Sequence, residues 1–445
     1  MKSVSARRII PACALSVVAV VALAAPGAAN ASLGTKCSGE NIKGNGSSFQ
    51  KPAQLNVWNP DFNTSGNAEA CKGSSPTATY ESTGSGTGME KWGLNGHAVE
   101  SGAWAYVGTD EPPNTAQKAE IEKGVKSTIE EIPVAQGSDA IIMHLPAGCT
   151  ATSEAVKKHP EGRLVLGNTV LEGIFRGTIS KWSEITESGD KLSGTGCSPE
   201  TQILRVVRED QSGTTHIFKK YLSLLYPGKF ETEKGEEKTW NQVAEGPEST
   251  TWPKGVVVVK KPPAKGNGEV IKLVGETAGT IAYANLADTR ANAKFIPPEG
   301  GPGKTTFWAK VQDNGTVSKA KYADPSDNEE SATLSNSNCA KEKYTNGTTT
   351  FPPKHTTESW SEVTTSTKQP KYSICGLTYD LLIKNYKSAP GTTVGEATTA
   401  SNYVSFELSE ASEGGQVLIV NHDYERLPSK LDKEALAGVK EVTFE

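Results

Sequence analysis

Arg208-Glu209-Asp210-Gln211-Ser212-Gly213-Thr214-Thr215 is the stretch from which the fold can be read. A short β-branched run, Ile203-Leu204-Arg205-Val206-Val207, precedes it and reads as a strand. Residues 215–225 (THIFKKYLSLL) follow, with apolar side chains at helical spacing. The polar loop therefore sits where a strand hands over to a helix. Backbone N–H groups at a helix start have no partner inside the helix, and the helix dipole is positive there, so such a loop suits an anion. Arg208 offers a planar fork to two oxygens, and Asp210 is placed to hold and aim it. Ser and Thr also cap ordinary helices, so this loop alone does not decide between cap and anion site.

Three earlier segments repeat the pattern: Gly44-Asn45-Gly46-Ser47-Ser48-Phe49, Ser82-Thr83-Gly84-Ser85-Gly86-Thr87-Gly88 and Gly108-Thr109-Asp110-Glu111-Pro112. Around them, strand-like runs at 140–145 and 255–259 alternate with helix-like segments such as 169–175, which points to α/β layers and away from an all-β sandwich. Between about 297 and 371 the pattern dissolves into Gly, Pro, Ser, Thr, Asn and Lys, which reads as a long polar insertion fastened in part through Cys339. Segments 377–383, 402–408 and 417–420 then restore an ordinary globular pattern.

Taken in order, the loops resemble the phosphate-binding component of bacterial phosphate ABC transporters. The family's G-[SA]-[ST]-F loop stands as Gly46-Ser47-Ser48-Phe49, its Y-x-x-x-G-S-G-x-G loop as residues 80–88, and its G-[ST]-D-x-P turn as residues 108–112. R-x-D-x-S-G-T is intact from Arg208 to Thr214, and IFRGTISKW (174–182), GTIAY (279–283) and Asn421-His422-Asp423-Tyr424 with Leu427-Pro428 continue the likeness. The resemblance implies a type II periplasmic-binding-protein fold, two α/β lobes with ligand in the cleft between them. Lobe one would combine 32–134 with 283–445, carrying the insertion at about 297–371, and lobe two would span 135–282.

It also implies roles. Ser48, Phe49 and Ser85 would donate to phosphate from lobe one, with Ser47 supporting them, and the Phe49 ring would seal the cleft. Asp110 would accept from the ligand. Arg208, Ser212, Gly213 and Thr214 would donate from lobe two, and Asp210 would hold Arg208. The departures are Gln50 and Lys51 between Phe49 and Pro52, Gln211 in place of a glycine, and Ala282 in GTIAY. None removes a ligand group.

The chemistry of Asp110 stands on its own. An ionised carboxylate only accepts hydrogen bonds, so it requires a ligand that still carries a proton. Hydrogen phosphate does at neutral pH and sulfate does not. Such a buried polar mismatch can reject an analogue by about 10⁴-fold.

The start of the chain reads as an export signal: Lys2, Arg7 and Arg8, an apolar stretch 9–25, and Ala29-Asn30-Ala31 as a cleavage site near Ala31. No lipid-anchor box precedes Cys13 or Cys37. Cleavage takes Cys13 and leaves six cysteines, an even number that in an exported chain favours disulfides. Neighbour pairing (Cys37–Cys71, Cys149–Cys197, Cys339–Cys375) is the simplest of about 15 connectivities. Removing the three basic residues of the signal leaves 43 basic against 51 acidic residues, net −8, which argues against nucleic acid or anionic membrane as partners. The expected partners are inorganic phosphate and the membrane permease of a phosphate ABC transporter, bound as a monomer without cofactor or metal. Binding of another oxyanion, or phosphate sensing without transport, keeps the fold and changes the role. A secreted phosphoryl-transfer hydrolase fits less well: the six histidines show no metal spacing, and neither a nucleophile elbow nor a Walker loop is present.

Overall fold

A computed structural model of the chain describes residues 33–64, 69–71, 76–151, 164–187, 190–232, 235–253, 264–295, 305–312, 322–327, 339, 344–346, 349–363 and 371–445. The leader read at 1–31 and the valine run at 255–259 lie outside the described residues.

The chain folds as α/β. Three parallel strands open it, with β1 (Ile42–Gly46) between β2 (Ala78–Ser82) and β3 (Tyr106–Thr109). The other strands of the main sheet are β4 (Ile129–His144), β5 (Leu204–Val206), β6 (Thr280–Asn285), β7 (Thr306–Trp308), β8 (Cys375–Ile383) and β9 (Tyr424–Glu425). Their order is β2-β1-β3-β8-β4-β6-β5, with β7 and β9 also paired to β4. Helices α1 (Ser85–Glu90), α2 (Thr115–Val125), α3 (Asn168–Arg176), α4 (Gly213–Leu225), α5 (Gly266–Glu276), α6 (Val394–Glu407) and α7 (Ser429–Val439) flank the sheet. Local chemistry sets several starts: Asn114 with Gln117, and Thr393 with Glu396, form reciprocal capping boxes.

β4 is the axis of the molecule. Its residues 129–138 pair with β8, and its residues 139–144 with β6. Pro133 can sit in this central strand because the register slips beside it, from Pro133–Tyr379 to Ala135–Thr378; an irregularity of this kind is where a residue without an N–H is tolerated. The core changes along β4. Ile132 and Val134 belong to a cluster with Trp58, Tyr106, Leu381 and Tyr403. Ile141 and Met143 belong to a second, with Phe175, Phe218, Trp240 and Tyr283. The Phe218 and Tyr283 rings stack at 4.7 Å, a contact of about 0.5–1.5 kcal/mol beyond the area it buries. The opposite face of β4 and β6, with Ala140, Ile142, Ala282 and Ala284, packs on α5 through Val270 and Val274. β6 is buried on both faces, which suits its central Ile281-Ala282-Tyr283-Ala284.

The three cysteine pairs are joined as neighbours, with Cα–Cα separations of 5.2 Å (Cys37–Cys71), 4.9 Å (Cys149–Cys197) and 5.5 Å (Cys339–Cys375). Where the stretch at 297–371 is described it is packed into the fold: β7 pairs with β4, Phe307 and Val311 enter the second cluster, and Trp308 and Trp360 are fully buried. Its apolar residues come in twos and threes among polar ones, too few in any window to give a period.

Candidate functional site

The loop after β1 is fixed from below. Tyr80 donates its hydroxyl to Ser47 O at 2.9 Å, Tyr424 donates to Phe49 O, and Gln50 Nε2 donates to Asp380 Oδ1 at 2.8 Å. Ser47 Oγ accepts the amides of Phe49 (3.0 Å) and Gln50 (3.1 Å) and donates to Asp110, lying 2.6 Å from both carboxylate oxygens. The Phe49 amide, read as a ligand donor, is therefore turned to Ser47 here. Its ring meets Tyr424 edge-on at 6.1 Å.

Asp110, at the end of β3, gathers three hydroxyls: Ser47, Ser85 at 3.3 Å and Thr378 of β8 at 2.8 Å. Ser85 Oγ also accepts the amides of Asp110 and Gly213, each at 3.2 Å. Ser47 and Ser85 thus already accept two N–H groups each, and the single proton of each is left for Asp110. The carboxyl is set as an acceptor. Burial pushes its pKa up to about 6, against the pull of the Ser47 and Thr378 hydroxyls and of Arg208, so it is ionised at neutral pH.

The loop after β5 comes from the other side. Arg208 is buried and forks onto Asp210, Nε reaching Oδ1 at 2.6 Å and Nη2 pairing with Oδ2. Its Nη1 lies 3.4 Å from Asn267 Oδ1 and 3.5 Å from Thr214 Oγ1. Thr214 Oγ1 also accepts from Asn267 Nδ2 at 3.4 Å, so its own proton remains to be donated. Ser212 caps α4: its hydroxyl accepts the Thr215 amide at 3.2 Å and its own amide goes to Thr250 O. Gln211, the departure from the family's glycine, reaches across to Glu90 of α1 at 2.7 Å and accepts the Gly86 amide through its carbonyl at 3.4 Å. His216 is buried with its pKa held well below the ordinary range by burial and by Lys220 and Lys219, which suits packing better than proton transfer.

All the residues singled out in sequence come together, Ser47, Ser48, Phe49, Ser85 and Asp110 facing Arg208, Asp210, Ser212, Gly213 and Thr214. The approach is close: a Cβ added to Gly213 would lie 2.6 Å from Asp110 Cβ and from Ser85 Oγ. Three further residues were not read. Asn267, at the start of α5, donates its amide to Ser48 Oγ at 3.3 Å. The Gly266-Asn267-Gly268 sequence at a helix start is the same signal as the other loops and could have been noticed. Thr378 lies inside an apolar strand and gave none. Asp139 is fully buried with neither carboxylate oxygen hydrogen-bonded. Among the described residues no group of His, Cys, Asp and Glu is arranged to hold a metal ion, and no helix is long and apolar enough to cross a membrane.

Comparison with known proteins adds the following. A family model described as a PBP superfamily domain matches residues 27–352. The phosphate-binding protein PstS of Xylella fastidiosa is 28% identical over 249 residues, covering 55% of this chain and 53% of that protein. PstS 3 of Mycobacterium leprae is 28% identical over 311 residues, 65% of this chain and 71% of its own. The chain thus spans about half the length of the first of these relatives. Among solved structures, a phosphate-binding protein of Stenotrophomonas maltophilia superposes with a TM-score of 0.56 at 18% identity, over 89% of this chain and 93% of that one. A periplasmic phosphate-binding protein bound with phosphate (PfluDING) gives 0.56 at 16% identity over the same shares. At such identities the likeness is one of fold.

Proposed function

This chain belongs to the PBP superfamily, and we propose that it is an extracytoplasmic receptor that binds inorganic phosphate and presents it to an ABC-type import permease. The observation that carries the reading is Asp110. Three hydroxyls hold it as an ionised acceptor opposite Arg208 and the start of α4, so an oxyanion bound between them must bring a proton. The PstS relatives support the same ligand.

Phosphate would be held by Ser48, Phe49, Ser85 and Asp110 from one lobe and by Arg208, Ser212, Gly213 and Thr214 from the other, the Phe49 and Gly213 amides exchanging Ser47 and Ser85 for the ligand. Ser47 and Asp210 would aim Asp110 and Arg208. The lobes would be 32–134 with 283–445, and 135–282, except that Phe307, Val311, Ala323, Tyr372 and Ile374 pack in the core of the second. The chain passes from the first cluster to the second between Ala135 and Ile141 and returns between Ile374 and Leu377, and the two crossings are joined by the Asp139 amide on Ile374 O at 2.9 Å. Bending at those points would open and close the cleft, and the closed form is what a permease would recognise. This is binding and delivery, not catalysis, by an exported monomer. The test is retention of radiolabelled phosphate by the purified chain in a large excess of sulfate. Retention that only unlabelled phosphate displaces supports the reading, and loss of label to sulfate contradicts it.

A further inference from the structure

We propose that Asp139 is a second carboxyl of the anion site, donating a hydrogen bond to a bound phosphate oxygen from the floor of the cleft; this rests on the phosphate reading above. Side chains alternate along a strand, so Gly137, Asp139 and Ile141 share one face of β4. Gly137 lies against the Phe49 ring, whose Cζ is 2.5 Å from where a Cβ would stand. Ile141 packs with Phe218 and Tyr283. Tyr283 in turn hydrogen-bonds Thr215 Oγ1, in the first turn of α4, at 2.6 Å. The Asp139 side chain therefore emerges between the Phe49 loop and the start of α4, the two elements proposed to close on the ligand.

Its backbone is already committed: the amide to Ile374 O at 2.9 Å, the carbonyl to the Tyr372 hydroxyl at 2.5 Å. Its carboxyl is not. Neither oxygen has a partner and the residue is 0% exposed, an arrangement that strongly disfavours a bare charge and still leaves a neutral carboxyl needing an acceptor. The groups that act on it are Asp110 from the end of β3 and Arg208 from just after β5, with the phenols of Tyr283 on β6 and Tyr372 just before β8. Burial, and then the charge of Asp110, push its pKa well above the carboxylate range despite Arg208, which favours the protonated, donating form.

The two carboxyls then divide the work. Asp110 accepts the ligand's proton, and Asp139 gives one to a ligand oxygen. At alkaline pH Asp139 ionises and faces a dianion, so affinity falls in a way that an amide at the same place would escape. Phosphate dissociation constants of the wild-type chain, Asp139→Asn and Asp139→Leu, measured from mildly acidic to alkaline pH, test this; comparing variants cancels the ionisation of phosphate itself. Asp139→Asn should bind within a few-fold of wild type at neutral pH and lack its alkaline loss. Asp139→Leu should bind about tenfold or more weakly throughout. Infrared difference spectra on adding phosphate should show a protonated-carboxyl band that shifts in wild type and is missing from Asp139→Asn, a readout that survives if the leucine variant misfolds. Parallel pH profiles for wild type and Asp139→Asn, with no such band, would overturn the proposal while leaving phosphate binding intact. A wild-type chain that binds no phosphate would instead remove the reading on which it rests.

Discussion

Ser85 Oγ accepts the Gly213 amide at 3.2 Å across 128 residues of sequence. That bond ties the loop after β2 to the first residue of α4, and with it the two sides of the proposed cleft. Asp110 is the third member of the contact, since its carboxylate receives the Ser85 proton. Closure and ligand recognition therefore share atoms.

Gly213→Ala should uncouple closure from folding. The added methyl would meet Asp110 and Ser85 at 2.6 Å, and a gap must open to admit it. Phosphate affinity should fall about 100-fold or more, as for several lost charge-assisted bonds. The melting temperature of ligand-free protein should stay close to wild type, because the loops meet at the cleft and not in the core. Calorimetry and thermal melts on the same sample check both.

Asp110→Asn replaces an obligate acceptor with a group that can also donate. Phosphate affinity should drop about 10- to 100-fold, and sulfate, which no longer faces a carboxylate, should begin to bind. Competition between the two anions reads this directly. Unchanged selectivity would take Asp110 out of the recognition role.

Arg208→Lys keeps the charge and loses the fork. The fork spends Nε and Nη2 on Asp210 and leaves Nη1 beside Thr214 and Asn267. A lysine cannot satisfy Asp210 and a ligand with the same geometry, so affinity should fall at least tenfold with far-UV circular dichroism unchanged. Equal affinity would mean that Arg208 serves the fold alone.

Stability should rise on mild acidification. Asp380 and Glu407 are buried together beneath the Phe49 loop, Asp380 taking the Gln50 amide and Glu407 the Gln54 amide at 2.9 Å. Burial pushes Asp380 up to about 6, and burial with the neighbouring Asp380 charge pushes Glu407 well above the ordinary carboxylate range. The fold thus keeps protons that the unfolded chain releases near pH 4, so their stabilisation is full at about pH 4 and is lost as pH climbs through about 6 and beyond. Melting temperature should be a few degrees higher near pH 5 than near pH 7.5, and Asp380→Asn should flatten the difference. A stability that rises steadily with pH would contradict this assignment.

What could be read from the sequence follows from how local each signal is. Ser47, Ser48, Ser85, Asp110 and the Arg208–Thr214 loop lie in short Gly-, Ser- and Thr-rich turns where strands pass into helices or turns, and such turns announce themselves in a few residues. Thr378 reaches Asp110 from 268 positions away inside an apolar strand, a contact only the sheet order creates. Asp139 gives no signal because Pro133, Gln136 and Gly137 break the pattern of β4, so the apolar run visible in sequence starts at Ala140 although the strand runs from Ile129. The packing within the polar stretch at 297–371 gives no signal either: β7 is three residues long and owes its burial to the neighbour it pairs with.

The most direct test is isothermal calorimetry of the purified, ligand-stripped chain, titrated near neutral pH with phosphate and then with sulfate. The expected result is tight one-to-one phosphate binding and no heat of binding from sulfate. Silence toward phosphate, or an equal response to both anions, would contradict a cleft whose filter is an ionised Asp110.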